Sequence, residues 1–459
     1  MDRRDFLKAA MLSAAALALP GGVVAADNAL AAAPKGGKPN IIFILSDDVG
    51  YGDIGCFGSD HYKTPKIDAL AKSGIKFEQC YSAPLCGPSR CEIMTGRYPF
   101  HTGMISNQSA QALMPRTEIM MPKVLKPAGY VTAECGKWSQ LPLEPGDWGF
   151  DEYFRFVGSG QYWSTQNPNY TVNGEKKTLK EGEYFPDLMH NFVVNFITKH
   201  KDEPFYLYYP MSHIHGQILK TPDTKPGTKD FYTDNIAYMD KLVGKLVDKL
   251  DELKLREKTV IVFVGDNGTA PMRADTSTVH GKRLSGQKGS LLEGGSRVPM
   301  IVSCPGMTPA GKSVDDLVDF TDYLPTFAEL GGAKLPAGVT IDGHSFADRI
   351  KGKDGKPREW VYIELNGKWY VRDKRYKLTG TGDMYDLKNA PFEEIPVPAD
   401  TKDADAIASR KRLQALLDKM NPAAGNQKFK GGAAPKKRKR KAKATGAGGG
   451  GGLGALLGL

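Results

Sequence analysis

The chain has 459 residues, of which 41% are hydrophobic and 25% are charged. This composition suffices for one large buried core or two smaller ones, and it excludes a fibrous or wholly disordered protein. The net charge of +10 does not indicate a nucleic-acid-binding domain, because nine of these charges are lysines and arginines between positions 428 and 443. The rest of the chain is close to neutral, so we expect no nucleic-acid partner.

The N-terminus has the pattern of an export signal. Arg3 and Arg4 precede an apolar, alanine-rich run at residues 9–19, and small residues follow near position 30. We therefore interpret residues 1–33 as a twin-arginine-type signal peptide, which the twin-arginine translocase would recognise. No other stretch approaches the roughly 18 apolar residues needed to span a bilayer. We expect an exported protein, periplasmic or extracellular, without a membrane span.

Short, continuous apolar runs predict strands that are buried on both faces of a parallel sheet. In chain order these runs are 40–45, 130–133, 205–209, 259–264 and 300–303. Apolar residues at helical spacing predict helices between them, at 67–73 and 231–253. The alternation of strand and helix predicts an α/β fold over residues 38–345, with a doubly wound, mostly parallel sheet.

The pattern changes after residue 345. Short β-like pieces between 360 and 387 precede a helical pattern at 404–420, whose predicted apolar face is Ile407, Leu413, Leu416 and Leu417. These elements predict a small α+β subdomain over residues 346–420. From residue 421 the chain becomes rich in glycine, alanine and basic residues without periodicity, which predicts a disordered tail over 421–459. We interpret its charges as solvated, with attraction to an acidic polysaccharide as the alternative.

Polar side chains follow directly after several of the predicted strands. In open α/β sheets, ligands bind beyond the carboxyl ends of the strands, so these side chains should converge on one site. They are Asp47 and Asp48 after the first strand, Lys137 after the strand near 130, His213 and His215 after the strand at 205, and Asp266 and Asn267 after the strand at 259.

The most specific signal is the segment 86–97, which reads CGPSRCEIMTGR. Pro88 suits the first turn of a helix and Gly96 its end, which places Cys86 at a helix N-terminus. Backbone N–H groups and the helix dipole favour an anion there. The segment resembles the sulfatase signature, and the resemblance extends over residues 38–390. It implies that a maturation enzyme oxidises Cys86 to formylglycine, also called 3-oxoalanine.

The resemblance also implies a metal site. Asp47, Asp48, Asp266 and Asn267 supply the oxygen ligands that Ca²⁺ or Mg²⁺ prefers. In the sulfatase family such residues bind calcium, and an oxygen of the modified Cys86 or of the substrate completes the coordination. We therefore expect Ca²⁺ as the cofactor, with Mg²⁺ as the alternative.

Three cations and a histidine complete the implied site. Arg90, Lys137 and Lys288 lie in segments that resemble those of sulfatases, and together they would clamp a tetrahedral anion. The resemblance implies that His215, with His213 beside it, protonates the leaving oxygen.

The sequence departs from the family at one position. Ser139 follows Trp138 where sulfatases commonly have a histidine, which deprotonates the second hydroxyl of formylglycine hydrate. Serine does not act as a free general base. Another group, such as His280 or Lys137, would then have to expel the sulfate.

The resemblance implies a sulfuric ester hydrolase that releases sulfate from an exported substrate, with a sulfated carbohydrate as the expected class. One alternative is a phosphodiester or phosphonate monoester hydrolase of the alkaline phosphatase superfamily, since its members use similar metal and nucleophile geometry. A second alternative is a catalytically impaired protein that binds sulfated polysaccharide, which the serine at position 139 motivates.

Overall fold

The computed structural model describes residues 37–430, except 139 and 159 and except the side chains of 110–112, 429 and 430. The predicted signal peptide and Ser139 lie outside the described residues. The part of the predicted basic tail after residue 430 also lies outside the described residues.

The described chain alternates between strands and helices. The strands are β1 (Asn40–Ser46), β2 (Ile75–Tyr81), β3 (Val131–Lys137), β4 (Glu152–Phe156), β5 (Asn169–Val172), β6 (Glu175–Thr178), β7 (Phe205–Pro210), β8 (Thr259–Gly265), β9 (Thr278–Val279), β10 (Lys282–Arg283), β11 (Arg297–Ser303), β12 (Lys312–Asp319), β13 (Val361–Leu365), β14 (Lys368–Arg372), β15 (Tyr376–Thr379), β16 (Met384–Asp386) and β17 (Ile395–Val397). The helices are α1 (Pro65–Lys72), α2 (Cys86–Thr95), α3 (Pro99–Thr102), α4 (Met121–Leu125), α5 (Phe185–Lys199), α6 (Phe231–Glu252), α7 (Glu293–Ser296), α8 (Tyr323–Gly331), α9 (Ala347–Ile350), α10 (Ala404–Met420) and α11 (Pro422–Lys430).

The large sheet has ten strands in the order β12-β2-β11-β8-β1-β7-β3-β4-β5-β6. The central strand β1 runs parallel to β7 and β8, and β3 runs parallel to β7 and β4. Strand β11 is antiparallel to both its neighbours, and β5 and β6 form an antiparallel edge. This topology confirms the predicted mostly parallel α/β sheet.

Helices cover both faces of the large sheet. Ile42 and Ile44 of β1 pack in a core with residues of α1, α5 and α6, whereas Ile41 and Phe43 pack in a second core with residues of α2, α4 and α8. Successive side chains of a strand point to opposite faces, so the two cores lie on opposite sides of the sheet. Both faces of β1 are therefore buried, which explains its continuous apolar sequence.

The C-terminal subdomain is an antiparallel sheet in the order β13-β14-β15-β16-β17, with α10 packed on β14 and β15. Two predictions about it need correction. The helix α9 packs in the core of the large sheet through Ala347 and Ile350, so the subdomain begins after residue 350 rather than at 346. Ile407 is 50% exposed, and its neighbour Ala406 is buried instead, because the buried face of α10 runs through Ala406, Ser409, Leu413 and Leu417.

The predicted start of the disordered tail at residue 421 is also wrong, because α11 occupies residues 422–430. Asn421 has a φ of 48° and ends α10, and Pro422 starts the next helix. Asn426 is buried and donates a hydrogen bond from Nδ2 to Glu364 Oε1 at 2.6 Å. This long-range contact fixes the segment on the subdomain.

All six cysteines are free thiols. Within the described part of the chain, no helix has both the length and the apolar character needed to cross a membrane.

Candidate active site

Two neighbouring strands of the large sheet end in the predicted metal ligands. Asp47 and Asp48 lie at the end of β1, and Asp266 and Asn267 lie at the end of β8. The backbone N–H of Asp48, which has a φ of 62°, donates to Asp266 Oδ1 at 3.0 Å. Asn267 Nδ2 donates to Asp48 Oδ1 at 2.9 Å. These four residues therefore lie close together at one edge of the sheet, as the sequence predicts.

Cys86 is the first residue of α2, as the sequence predicts, and it is 1% exposed. Its Sγ lies 3.6 Å from Asp47 Oδ1 and 3.6 Å from Lys137 Nζ. Burial raises the pKa of the Cys86 thiol to about 12, although Lys137 opposes this shift. Without a bound cation, these surroundings therefore favour the thiol over the thiolate.

The three predicted cations each contact a carboxylate of the cluster. Lys137 Nζ lies 2.6 Å from Asp47 Oδ2, Arg90 Nη2 lies 2.8 Å from Asp266 Oδ2, and the Lys288 ammonium pairs with Asp48. Burial lowers the pKa of Lys288, but the acidic groups beside it outweigh this effect and raise it above its ordinary value. Burial also lowers the pKa of Lys137, but the acidic groups beside it, Asp47 first among them, together outweigh burial and raise the pKa. All three side chains therefore stay charged at neutral pH.

The pKa values of two carboxyl groups in the site shift in opposite directions. Burial raises the pKa of Asp47, but Lys137, His215 and Arg90 outweigh it and hold the pKa well below its ordinary value. For Asp266, burial and the negative charge of Asp47 raise the pKa, and the neighbouring cations only partly oppose them. The ionised form of Asp266 is therefore disfavoured in these surroundings, whereas that of Asp47 is favoured.

The donor set fits the predicted divalent cation. Ligand atoms of Asp47, Asp48, Cys86 and His215 all lie within 4.8 Å of one another. Asn267 Oδ1 is buried and has no hydrogen-bond partner among the described residues. An unpaired buried acceptor is costly, and a hard cation bound by the neighbouring carboxylates would satisfy it. Asp47, Asp48, Asp266 and Asn267 are thus suited to hold the cation.

The two predicted histidines have different surroundings. The side chain of His215 is 20% exposed, and its Nε2 lies 3.7 Å from Asp48 Oδ2. His213 is fully buried, with its Nε2 3.2 Å from the hydroxyl of Tyr184, and burial lowers its pKa to about 3. The carbonyl oxygen of His213 accepts a hydrogen bond from the Asp47 N–H at 2.7 Å. Only His215 reaches the cluster with its ring, whereas His213 contacts it through its backbone.

Lys137 and His280, the two candidates to replace the histidine that is missing at position 139, lie in different places. Lys137 lies against Cys86, as described above. His280 is exposed in the turn between β9 and β10, near Gly58, and is not brought to the cluster.

Sequence reasoning missed Asn107. Its Oδ1 accepts a hydrogen bond from the backbone N–H of Gly87 at 2.9 Å, so a side chain from a separate loop caps the helix that carries Cys86. A single polar residue in a loop gives no sequence signal of such a contact, because the contact depends on how the loop folds back.

Comparisons with known families agree with this geometry. The model of the sulfatase family matches residues 39–333, and the model described as N-sulphoglucosamine sulphohydrolase, C-terminal, matches residues 286–421. The chain belongs to the sulfatase family. It is therefore a sulfuric ester hydrolase, as its relatives named arylsulfatase, steryl-sulfatase and N-acetylgalactosamine-6-sulfatase are.

Two curated relatives illustrate the similarity of this sulfatase. Arylsulfatase A of Homo sapiens is 30% identical over 381 residues, which cover 74% of this chain and 74% of the relative. N-acetylgalactosamine-6-sulfatase of Canis lupus familiaris is 31% identical over 381 residues, which cover 76% of this chain and 72% of the relative.

Solved structures show the same fold. The structure of Ps i-CgsB in complex with k-i-k-neocarrahexaose has a TM-score of 0.72 and 30% identity, over 85% of this chain and 94% of that chain. BT4656, solved with D-glucosamine-2-N,6-O-disulfate, has a TM-score of 0.68 and 21% identity, over 87% of this chain and 100% of that chain. The latter similarity concerns the fold alone.

Proposed function

We propose that this sulfatase hydrolyses sulfate esters of a carbohydrate, using residue 86 after its oxidation to formylglycine, together with a bound divalent cation. The observation that carries the proposal is the state of Cys86. It is the buried first residue of α2, and its Sγ lies 3.6 Å from both Lys137 Nζ and Asp47 Oδ1. The helix start and the neighbouring cations favour an anionic substrate group at residue 86.

The groups around residue 86 would have separate roles in sulfate transfer. The oxidised side chain would supply an oxygen nucleophile, and the cation would supply positive charge to it and to the sulfate. Asp47, Asp48, Asp266 and Asn267 would hold the cation, and the oxygen donors favour calcium, with magnesium as the alternative. Ligand atoms of Asp47 and Asp48 lie within 4.8 Å of those of residue 86 and His215.

The cations and His215 act on the substrate. Lys137 pairs with Asp47 and Lys288 pairs with Asp48, and both would bind sulfate oxygens. Arg90 holds Asp266 and the end of β3 in place through hydrogen bonds of 2.8 and 2.9 Å. His215, which is partly exposed and has a ring nitrogen free of partners among the described residues, would donate a proton to the leaving alcohol oxygen. Lys137, 3.6 Å from the side chain of residue 86, stays charged, so it would stabilise the departing sulfate by its positive charge and would not take up the proton.

A carbohydrate is the substrate class that the relatives support best. N-acetylgalactosamine-6-sulfatase names a sulfated sugar, and the solved Ps i-CgsB structure contains a neocarrahexaose. The same comparisons favour a sulfate ester over the phosphodiester alternative. We also propose that the chain is exported through the twin-arginine translocase to the periplasm or the cell exterior, and that a formylglycine-generating enzyme matures it.

Mass spectrometry of one tryptic peptide tests the maturation of residue 86. Cleavage after Lys76 and Arg90 releases residues 77–90, which contain both Cys80 and Cys86. In protein from its native host, we expect an aldehyde at residue 86 and an intact thiol at Cys80, so that an alkylating reagent labels only Cys80. Labelling of both cysteines in protein from its native host would contradict the proposal.

Release of sulfate tests the reaction. We expect the matured enzyme to release sulfate from an aryl sulfate and from a sulfated sugar, and the Cys86→Ala protein to release none. Faster hydrolysis of a phosphodiester than of any sulfate ester would favour the phosphodiesterase alternative. Matured protein that binds sulfated polysaccharide without any release of sulfate would favour the binding-protein alternative.

A further inference from the structure

The loop between β10 and α7 carries Lys288 but has no regular structure of its own. This Lys288 loop, residues 284–292, consists of bends and turns, and Gly289 within it has a φ of 79°. The backbone N–H of Lys288 donates to the carbonyl oxygen of Thr269 at 3.0 Å, and that of Gly289 donates to the carbonyl oxygen of Pro84 at 2.9 Å. The conformation of the loop therefore depends on contacts with neighbouring segments.

A buried ion pair of the C-terminal subdomain binds the end of this loop. Lys377, in β15, and Glu394, directly before β17, lie 2.5 Å apart, and each side chain is 3% exposed. Lys377 Nζ donates to the carbonyl oxygen of Leu291 at 2.6 Å. Glu394 Oε1 accepts a hydrogen bond from the backbone N–H of Glu293 at 3.0 Å. Each member of the pair therefore contacts the backbone where the Lys288 loop ends.

Lys377 reaches the loop because it lies on the face of the C-terminal sheet that meets the large domain. Its Nζ lies 4.4 Å from the ring centroid of Tyr370. Tyr370 packs in one cluster with Tyr81 of β2 and with Leu291. Leu378, the next residue after Lys377, packs with residues of α10 on the other face. Successive side chains of β15 thus alternate between α10 and the Lys288 loop.

A buried ion pair is an expensive way to hold two segments together. Burial lowers the pKa of Lys377 and raises that of Glu394, although each charge opposes the shift of the other. Apolar residues of similar size would avoid the cost of burying two charges. They would not, however, bind the carbonyl oxygen of Leu291 or the N–H of Glu293. What the pair provides beyond an apolar contact is therefore a fixed position of this backbone.

We propose that the Lys377–Glu394 pair fixes the end of the Lys288 loop and thereby holds the Lys288 ammonium where it binds the sulfate. This inference rests on the proposed function, which assigns Lys288 to the sulfate oxygens. Leu291 follows only three residues after Lys288, so a displaced loop end also displaces the ammonium. A shift of a binding group by about 1 Å can lower a rate about 100-fold. Lys377 and Glu394 are thus positioning residues, which act through Lys288.

A double variant removes both charges without leaving one of them buried alone. Lys377→Met/Glu394→Leu has side chains of similar size that cannot bind the loop backbone. We expect kcat/KM of the matured enzyme for an aryl sulfate to fall at least about tenfold. Glu394→Gln, which has one oxygen for two donors, should show a smaller fall. Lys249→Met/Glu252→Leu, at a partly exposed pair 2.6 Å apart near the end of α6, is the matched control and should keep the parent kcat/KM.

The Lys288→Ala enzyme distinguishes positioning from a general effect on the fold. Because the pair acts through Lys288, the double variant should lower kcat/KM little further once residue 288 is alanine. Lys377→Arg should keep more activity than Lys377→Met, because arginine can also donate to the Leu291 carbonyl and pair with Glu394. A fall of equal size with and without Lys288, or no fall relative to the control, would overturn the positioning role.

Acetylation of Lys288 reports on its position without turnover, in protein that need not be matured. Its side chain is 14% exposed and pairs with Asp48, so an acetylating reagent should react with it slowly in the parent. We expect the double variant to raise acetylation of Lys288, relative to that of the exposed Lys220, at least about threefold by mass spectrometry. Equal acetylation in the double variant and the control would overturn the positioning role. Raised acetylation, with no sulfate release by the matured parent, would overturn only the proposed reaction.

Discussion

The unpaired oxygen of Asn267 provides a test of the metal site that does not depend on activity. We expect Asn267→Ala to raise the Kd for Ca²⁺ at least about tenfold, because it removes an oxygen ligand from a buried site. Asn267→Asp keeps the oxygen and should bind calcium at least as tightly as the parent. Calorimetric titration with Ca²⁺ and with Mg²⁺ measures both affinities and shows which cation the site prefers.

Asn389→Ala is the matched control for this experiment, because Asn389 is exposed and lies in the C-terminal subdomain. It should leave the calcium affinity unchanged. If Asn267→Ala and Asn389→Ala bound calcium equally well, Asn267 would not be a ligand.

At the level of single residues, the sequence located the site better than it assigned the roles within it. The rule that ligands bind beyond strand ends brought Asp47 and Asp266 together correctly, because β1 and β8 are neighbouring parallel strands. The same rule could not distinguish His213 from His215. They are two residues apart, and only the path of the loop after β7 turns one ring into a group of tyrosines and the other toward Asp48.

Helix α2 depends on a contact that its own sequence does not contain. Its N-cap residue, Leu85, offers no side-chain acceptor, and Asn107 caps the helix from another loop. We expect Asn107→Ala to lower the free energy of unfolding by about 1 kcal/mol, the usual cost of a lost cap. Because the same helix start carries residue 86, kcat should fall in the matured enzyme as well.

Gln108→Ala serves as the control for Asn107→Ala, since Gln108 is the exposed next residue of the same turn. Urea denaturation and sulfate release should both stay at parent values in this control. A stability of Asn107→Ala equal to that of Gln108→Ala would show that the cap contributes nothing.

Among the elements, three helices (α1, α6 and α10) and five strands (β1, β3, β7, β8 and β11) were predicted, whereas α5, β2 and the elements that depend on distant contacts were not. The predicted helix at 404–420 has the bounds of α10, because its apolar spacing is regular and Asp403 caps its start. Helix α11 has a composition typical of a linker, and it is fixed by Asn426 on Glu364 and by Gly425 against Phe100. Strand β12 was missed because its first half is largely exposed and charged.

On the scale of the whole molecule, buried ion pairs join the two sheets. Arg358 Nη2 lies 2.7 Å from Asp322 Oδ1, and Arg372 Nη1 lies 3.0 Å from Glu293 Oε1, each pair linking the C-terminal subdomain to the large domain. Removal of one member of such a pair leaves an unbalanced buried charge. Local sequence patterns do not reveal these pairs, since each joins residues that are far apart in the chain. We infer that the two sheets unfold together.

Glu364 lies at the same junction, and its ionisation should make the stability of the whole molecule depend on pH. Burial raises the pKa of Glu364 from its ordinary 4.5 to about 7, although Asn426 and Tyr362 donate hydrogen bonds to it. Between these two values the unfolded chain loses the proton of Glu364 while the folded protein keeps it. This contribution to stability is therefore fully present below pH 4.5 and is lost as the pH rises through 7.

The Glu364→Gln protein isolates this effect, because glutamine cannot ionise. We expect the free energy of unfolding of the parent, relative to that of Glu364→Gln, to fall by about 1–3 kcal/mol between pH 5 and pH 8. Urea denaturation at several pH values measures it, and Glu181→Gln, at an exposed position, should run parallel to the parent. If the difference in free energy of unfolding between the parent and Glu364→Gln did not change with pH, Glu364 would have an ordinary pKa. Burial between the two sheets would then not disfavour its ionised form.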